Sequence, residues 1–195
     1  DKNYLRGLQV GRSYYYFAAS LPMLDWEGKL PMTSGEFLST ANRLLSEGDR
    51  EIIEQLLTGD GERLETDNAV ALSWIDFNRN FRNEIAWFRA YRAHKDPLKS
   101  VHGAKENEPL LREIVHEASK MTDLLEAEKL LDRACWKFLD DLSGGHYYDF
   151  EFLICYGLKL KILERHHEYK LSKGNDAFDE MRAMELPVDW AVPSI

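Results

Sequence analysis

The clearest pattern in the chain is a stripe of large apolar side chains in its first half. Its members are Val70, Trp74, Phe77, Phe81, Ile85 and Phe88. Successive members are three or four residues apart, which is the spacing of one face of an α-helix. The stripe predicts a long helix over residues 68–94 that stops before Pro97, with basic side chains off the stripe.

Two shorter helices are predicted upstream. Thr33 followed by Glu36 has the pattern of a capping box, and apolar residues at helical spacing come next. This predicts a helix over residues 34–46. Asp49 is expected to cap a second helix, which the Gly-Asp-Gly sequence at residues 59–61 ends.

The second half of the chain predicts three more helices. One covers residues 108–120, and another begins at Asp123 and ends at the glycine pair 144–145. The third covers residues 149–171 and is apolar on all sides over residues 150–163, which is typical of a helix at the centre of a bundle. One face of the middle helix carries Leu124, Leu131, Cys135, Phe138 and Leu142.

Two further segments are short. The aromatic sequence YYYFAASLPML at residues 14–24 has too few residues to be assigned as helix or strand from its period. Phe178 and Met181 indicate a last short amphipathic helix.

These elements predict an all-α protein with two helical lobes of long antiparallel helices that share a core. The lobes cover residues 14–94 and 108–185, and the polar segment 95–107, which contains glycine and proline, is interpreted as their linker. Residues 1–13 are interpreted as a leader whose origin, native or added for expression, stays open. Residues 186–195 contain two prolines and are expected to form an irregular tail.

The two lobes also share a sequence pattern. Aligning residues 81–96 with residues 157–174 places Arg89 over Arg165, each at the basic end of a long helix. The alignment is consistent with two pseudo-repeats and also with chance similarity between amphipathic helices.

Composition and charge limit the classes of function that are expected for the chain. The chain has 195 residues and a formal net charge of -9, which argues against nonspecific nucleic-acid binding. Its longest apolar stretch, residues 152–158, is far shorter than the roughly 20 residues that cross a bilayer, so membrane contact is expected only through partners. Cys135 and Cys155 lie in predicted helices, which indicates reduced, buried thiols and a cytoplasmic location.

Four segments of the chain resemble known proteins. They are YYYFAASLPML, FRNEIAWFRAYR, LLEAEKLLDRACWKFLDDL and FEFLICYGLKLKILERHHEYKLSKG. They resemble an uncharacterised bacterial family encoded beside V-type ATP synthase subunits. More remotely, they resemble the funnel-shaped C-type subunit of V/A-type ATPases, whose eukaryotic form is the d-type subunit; we call it the funnel subunit.

The resemblance to the funnel subunit is partial. Asn83 and Arg89 keep a spacing typical of that subunit, whereas Lys159 replaces the asparagine expected before Arg165. Asp132 closes a Glu-x-x-Leu-Asp pattern one residue shorter than the form in the funnel subunit.

The resemblance implies a helical, non-catalytic stalk or coupling component of a proton- or sodium-translocating ATPase. Its partners would be the central shaft or the membrane ring, and it would lie in the cytoplasm, peripheral to the inner membrane. The chain is shorter than the three repeats of the funnel subunit require. A reduced version, a fragment and an accessory protein of the same operon therefore all stay open.

No known catalytic motif in the sequence indicates an enzymatic activity. The chain has no phosphate-binding loop, no dinucleotide fingerprint, no Cys-x-x-Cys and no His-Glu-x-x-His. We therefore expect neither an enzyme nor a cofactor.

Two Glu-x-x-His pairs give an alternative. Glu113 with His116 and Glu164 with His167 have the spacing by which two helices of a ferritin-like bundle supply half of a di-metal carboxylate site. Such a protein would be an oxidase or a metal store. A generic helical protein-interaction module is the remaining alternative.

The expected binding face is the basic side of the long helix. Residues 79–99 contain six basic and two acidic residues, a pattern typical of a solvated helix face or of a surface for an acidic partner. The candidate partner-binding residues are Arg82, Arg89, Arg92, Lys161 and Arg165.

Overall fold

The computed structural model describes residues 13–59, 61, 64–102 and 108–183, with side chains described as far as residue 169. Over these residues the chain forms seven α-helices and one short 3-10 helix, and it forms no strand. The prediction of an all-α fold is therefore confirmed.

The helices follow the predicted order, and the segment left unassigned by the sequence contains the first of them. In chain order they are α1 at 13–20, α2 at Ser34–Leu44, α3 at Glu47–Thr58, α4 at Ala69–Arg92, the 3-10 helix at Pro97–Ser100, α5 at Pro109–Lys120, α6 at Leu124–Leu142 and α7 at Phe150–Ala183. The predicted leader up to residue 12, residues 103–107 of the predicted linker and the predicted tail at 186–195 lie outside the described residues.

The capping box of α2 is confirmed. The Glu36 main-chain N–H donates to the Thr33 hydroxyl at 3.2 Å, and the Thr33 N–H donates to the Glu36 carboxylate at 2.8 Å. The predicted cap of α3 is wrong, because Ser46 rather than Asp49 occupies that position. Asp49 lies one turn inside α3, where its carboxylate accepts from the Tyr14 hydroxyl at 2.7 Å and ties α1 to α3.

Helix α4 matches the long helix that the apolar stripe predicts. The side chain of Asn68 caps it by accepting from the Ala71 N–H at 3.0 Å. Helix α4 packs against α5, α6 and α7, so it contacts most of the second half of the chain.

The described part of the predicted linker packs on α4. The buried Asn83 side chain donates to the main-chain oxygen of His102 at 2.9 Å and accepts from the His102 N–H at 2.8 Å. The 3-10 helix also lies against α4. Two hydrogen bonds from one buried amide therefore fix this segment to the helix that precedes it.

The start of α6 agrees with its sequence signal, because Asp123 accepts from the Leu125 N–H at 2.8 Å. The predicted end of α7 near Leu171 is wrong. Helix α7 continues to Ala183, and the segment around Phe178 and Met181 belongs to it rather than to a separate helix. Gly174 does not interrupt the helix, since a glycine inside a helix costs only about 1 kcal/mol relative to alanine.

Helix α7 lies at the centre of the fold, as its apolar sequence predicts. Leu153 and Leu160 are fully buried, and the helix contacts α2, α3, α4 and α6. Phe17 and Phe37 from the first predicted lobe join Leu139 from the second in one hydrophobic core. The two halves therefore share their core.

A glycine lets α2 approach α7 closely. A Cβ atom added at Gly157 would lie 2.9 Å from Cε1 of Phe37, closer than atoms of side chains pack. The Phe37 ring is stacked between Phe17 and Tyr156, with centroid distances of 5.1 and 5.6 Å. Phe37 is thus held between two aromatic rings.

Among the described residues, no helix combines the length and the apolar character needed to cross a membrane.

Candidate partner-binding site

Two adjoining pockets lie beside α4. The first has a volume of about 290 Å3 and is bounded by α4, α5 and α6, and the second has a volume of about 510 Å3 and reaches from α4 to α6 and α7. Both are lined by Ile85, Glu128 and Leu131. Because they share these residues, we treat the two pockets as one feature and call it the basic groove.

The floor of the basic groove is the end of the apolar stripe of α4. The stripe is buried from Val70 to Phe81, whereas Ile85 and Phe88 are only half-buried. From α6, Leu131 is half-buried and Leu124 is 74% exposed. The stripe is therefore longer than the helices that cover it, and its last turn reaches solvent.

All five predicted partner-binding residues line this groove. Arg89 and Arg92 line the first pocket, and Arg82, Lys161 and Arg165 line the second. The structure thus brings together two groups of cations that are about seventy residues apart in the sequence. The lining also contains Glu128 and Asp132, so basic side chains exceed acidic ones by three.

The cations of α4 point along one side of the helix. Arg82 and Arg89 are seven residues apart, which is two helical turns or about 10 Å along the axis. Arg89 is exposed and forms no ion pair with the described residues, whereas Arg92 donates to the Ser119 main-chain oxygen at 3.4 Å. Arg89 is therefore available to an external carboxylate.

Arg165 is held in place by a buried acid. Its Nε donates to Asp132 Oδ2 at 3.3 Å, and its Nη2 contacts Oδ1 of the same carboxylate. Burial raises the pKa of Asp132, and the nearby Arg165 and His166 oppose this effect only in part. The side chain of Arg165 remains about half exposed, so its guanidinium is oriented by α6 and still faces the groove.

The Asp132 carboxylate also contacts His166. Nε2 of His166 lies 2.8 Å from Asp132 Oδ2, and the imidazole packs edge-on against Trp26 with a centroid distance of 4.4 Å. Trp26 also packs against Trp136. The acid, the arginine and the histidine therefore form one network between α6 and α7, backed by two indole rings.

This network was not predicted from the sequence. Asp132 was interpreted only as part of a family pattern, and His166 was not among the predicted site residues. The signal was nevertheless present, since Asp132 is an acid on the face of α6 that carries Cys135 and Leu139, both buried.

The structure does not bring the four residues of the alternative di-metal site together. The Glu164 carboxylate accepts from the Ser34 hydroxyl at 2.6 Å and from the Ser34 N–H at 3.3 Å, so it ties α7 to the start of α2. His116 packs against Phe88, and Glu113 and His167 are exposed. Within the described residues, three potential ligand atoms converge only at His146, Asp149 and Glu151.

That small cluster already serves the fold. Asp149 accepts from His146 Nδ1 at 2.6 Å and from the Phe152 N–H at 3.0 Å. Glu151 accepts from the Asn68 side chain at 3.0 Å. These carboxylates hold the start of α7 and the N-terminus of α4.

The prediction of buried, reduced thiols is confirmed. Cys135 and Cys155 are buried and form no disulfide. Burial raises the pKa of each thiol to about 12, so both are protonated at neutral pH and are poor nucleophiles.

A sequence profile of the family described as "Protein of unknown function (DUF2764)" matches residues 105–185. The matched region contains α5, α6 and α7, and therefore Lys161, Arg165 and Asp132 of the groove. No curated protein and no solved structure matches the chain significantly. Similarity to an uncharacterised family is thus confirmed for this part of the chain, and the link to V-type ATPase subunits stays a prediction.

Proposed function

We propose that this protein is a non-catalytic stalk or coupling component of a V/A-type ATPase and that it binds an acidic surface of another subunit through the basic groove. The observation that carries this proposal is the convergence of five cations around an incompletely covered apolar floor. A surface of this composition suits a protein partner, because the floor supplies apolar contact and the rim supplies charge.

Electrostatics give the groove a defined role in binding. The protein as a whole carries a formal charge of -9, so a local excess of positive charge stands out against its surroundings. Complementary charges steer encounter and fix orientation more than they add affinity. Apolar contacts with Ile85, Phe88 and Leu131 would then supply much of the affinity.

The choice of partner rests on the resemblance of four segments to proteins encoded with V-type ATP synthase subunits and to the funnel subunit. The central shaft and the membrane ring are the corresponding partners. The protein would then lie in the cytoplasm and reach the membrane only through the complex.

A structural role for the polar groups supports a non-catalytic function. Asp132 is engaged by Arg165 and His166, and Glu164 is engaged by Ser34. Both thiols are protonated at neutral pH because burial raises their pKa to about 12. Asp132 and Glu164 are thus engaged in contacts between helices, and the thiols are poor nucleophiles.

Capture of the tagged protein from its own host tests the proposal, combined with metal analysis of the same preparation. We expect catalytic-head, shaft or ring subunits of the ATPase to be recovered with it, without stoichiometric iron, manganese or zinc. A protein that is recovered alone and carries about two metal ions per chain would contradict the proposal and favour the di-metal bundle.

A further inference from the structure

We infer that the occupant of the basic groove is a single amphipathic helix of the partner, with acidic side chains along both edges of an apolar stripe. This inference rests on the proposed function and names the element that binds. The first argument is the shape of the floor, because Ile85, Phe88 and Leu131 present half-buried apolar side chains between two helices. A third helix laid along α4 and α6 would complete their burial, as in other helix-in-groove complexes.

The positions of the cations on α4 indicate the length of the partner helix that contacts the groove. Arg82 and Arg92 are ten residues apart on α4, which corresponds to about 15 Å along the helix axis. A bound helix that follows this wall makes contact over about three turns. Its apolar anchors would then recur at positions i, i+3 or i+4, and i+7.

The cations of the groove come from two helices. Arg89 and Arg92 belong to α4, whereas Lys161 and Arg165 belong to α7. A helix lying between them meets positive charge at both edges, so carboxylates are expected on both flanks of its apolar stripe. An anion with a single charged group would leave most of this rim without a partner.

Two features prepare the rim for carboxylates. Arg165 is oriented in advance by Asp132, which reduces the entropy lost when it binds. Arg89 is exposed without an ion pair among the described residues. Binding at Arg89 therefore displaces no salt bridge within that part of the chain.

Glu128 adds a selective element. It lines both pockets and has no ion-pair partner among the described residues. A carboxylate placed opposite it would be repelled, so the partner helix should carry a neutral or basic residue at that point. This repulsion fixes the register of a helix that is otherwise acidic.

Photo-crosslinking of the full chain in its host tests the inference. A benzophenone amino acid replaces Phe88 in the groove floor or, as a second site, the exposed Leu124. Exposed Tyr16 on α1 is the matched control outside the groove. We expect the groove sites to crosslink to one segment of an ATPase subunit, with apolar residues at helical spacing and acidic flanks, and the control site not to do so.

The possible outcomes distinguish a failure of the helix inference from a failure of the proposed function. Crosslinks to a loop or strand, to a second copy, to residues 184–195 of the same chain, or to nothing would overturn the helix proposal even if ATPase subunits are captured. Crosslinks to an acidic helix of a protein outside the ATPase would support the helix proposal and overturn the assignment of the complex.

Binding of the crosslinked segment as a synthetic peptide gives the quantitative test. Arg89→Glu should weaken its binding about tenfold or more. Arg79→Glu, on the same helix outside the groove, should not change it. A peptide with lysine in place of the facing acid should regain binding to Arg89→Glu. Equal binding by all variants would contradict the inference.

Discussion

Arg165 on α7 faces the groove while its guanidinium is bound to Asp132, a buried carboxylate on α6. The two residues are separated by thirty-three positions in the sequence, and the ion pair joins the two helices that form one wall of the groove. In the proposed complex Asp132 would therefore be a positioning residue, because it orients Arg165 and does not contact the partner itself.

This ion pair predicts an unusual dependence of stability on pH. Burial raises the pKa of Asp132, so the folded state prefers the protonated carboxyl. Protonated Asp132 therefore stabilises the folded state below the ordinary carboxyl pKa of about 3.9. This contribution is lost as the pH rises through the raised pKa of Asp132. Asp132→Asn has no ionisable group at this position, so its stability should lack this loss as the pH rises.

Urea unfolding between about pH 4 and pH 7 measures this effect. The stability of the wild type relative to Asp132→Asn should rise as the pH falls through the raised pKa of Asp132. Asp141→Asn, on the exposed side of the same helix, is the control and should stay within about 0.5 kcal/mol of the wild type. A wild type that gains stability relative to Asp132→Asn as the pH rises would contradict the assigned direction of the pKa shift.

The close contact of α2 and α7 predicts a cost for Gly157→Ala. The new methyl would meet Phe37 at 2.9 Å and Leu57 at 3.4 Å. Overpacking of this kind costs about 1–3 kcal/mol, which exceeds the gain in helix propensity of about 1 kcal/mol. Denaturant unfolding should show the loss. Gly48→Ala, which meets no atom within 4 Å, should be neutral or slightly stabilising, and equal effects at the two sites would refute the packing argument.

The helices could be predicted because their signals are local. The stripe from Val70 to Phe88, the Thr33 capping box and the Asp123 cap each act within a few residues of the chain. The cap of α3 was misassigned because Ser46 and Asp49 both satisfy the local rule, and in the structure the Asp49 N–H donates to the Ser46 hydroxyl. The end of α7 was misassigned because glycine weakens a helix without ending it.

The two hydrogen bonds between Asn83 and His102 predict how the segment after α4 is held in place. Asn83→Ala would leave two main-chain groups of His102 without their partners, at a cost of about 1–3 kcal/mol. The segment should also open more often, so trypsin should cleave faster after Lys99. Exposed Asn42 on α2 is the control, and its replacement by alanine should change neither quantity. Unchanged cleavage in Asn83→Ala would show that the two hydrogen bonds do not hold the segment.

Buried phenol and thiol groups predict a loss of stability at alkaline pH. Burial raises the pKa of Tyr156 to about 12. Its folded state favours the neutral phenol, so stability falls as the pH rises from about 10 through 12, and Cys135 and Cys155 act in the same direction. At neutral pH, Tyr156→Phe loses the hydrogen bond to the Pro22 oxygen and about 0.5–1.5 kcal/mol.

Unfolding midpoints between about pH 8 and pH 12 measure this contribution. Tyr156→Phe should lose less stability than the wild type over the alkaline range, because it has one ionisable group fewer. A steeper loss in the variant would contradict the raised pKa of Tyr156.

The candidate site was predictable in part. Basic residues off an apolar stripe are visible in the sequence, and the weak repeat pointed to Arg89 and Arg165 together. The groove itself depends on the packing of α4 against α6 and α7, which no local pattern specifies. The same holds for the Asp132 network, since an acid on a buried face becomes interpretable only when its partners on another helix are known.

The central claim is that the groove cations bind the partner, and charge reversal tests it most directly. Arg165 and Lys161 are unsuitable for this test because a glutamate there would face Asp132 or Glu164, so Arg89→Glu with Arg92→Glu is the better pair. Arg79→Glu with Lys137→Glu reverses as many charges on α4 and α6 outside the groove, where each residue forms a surface ion pair within its own helix. Quantitative capture from the host should recover at least about tenfold less partner with the groove pair than with the control pair, at equal helicity. Equal recovery with both pairs would contradict the claim.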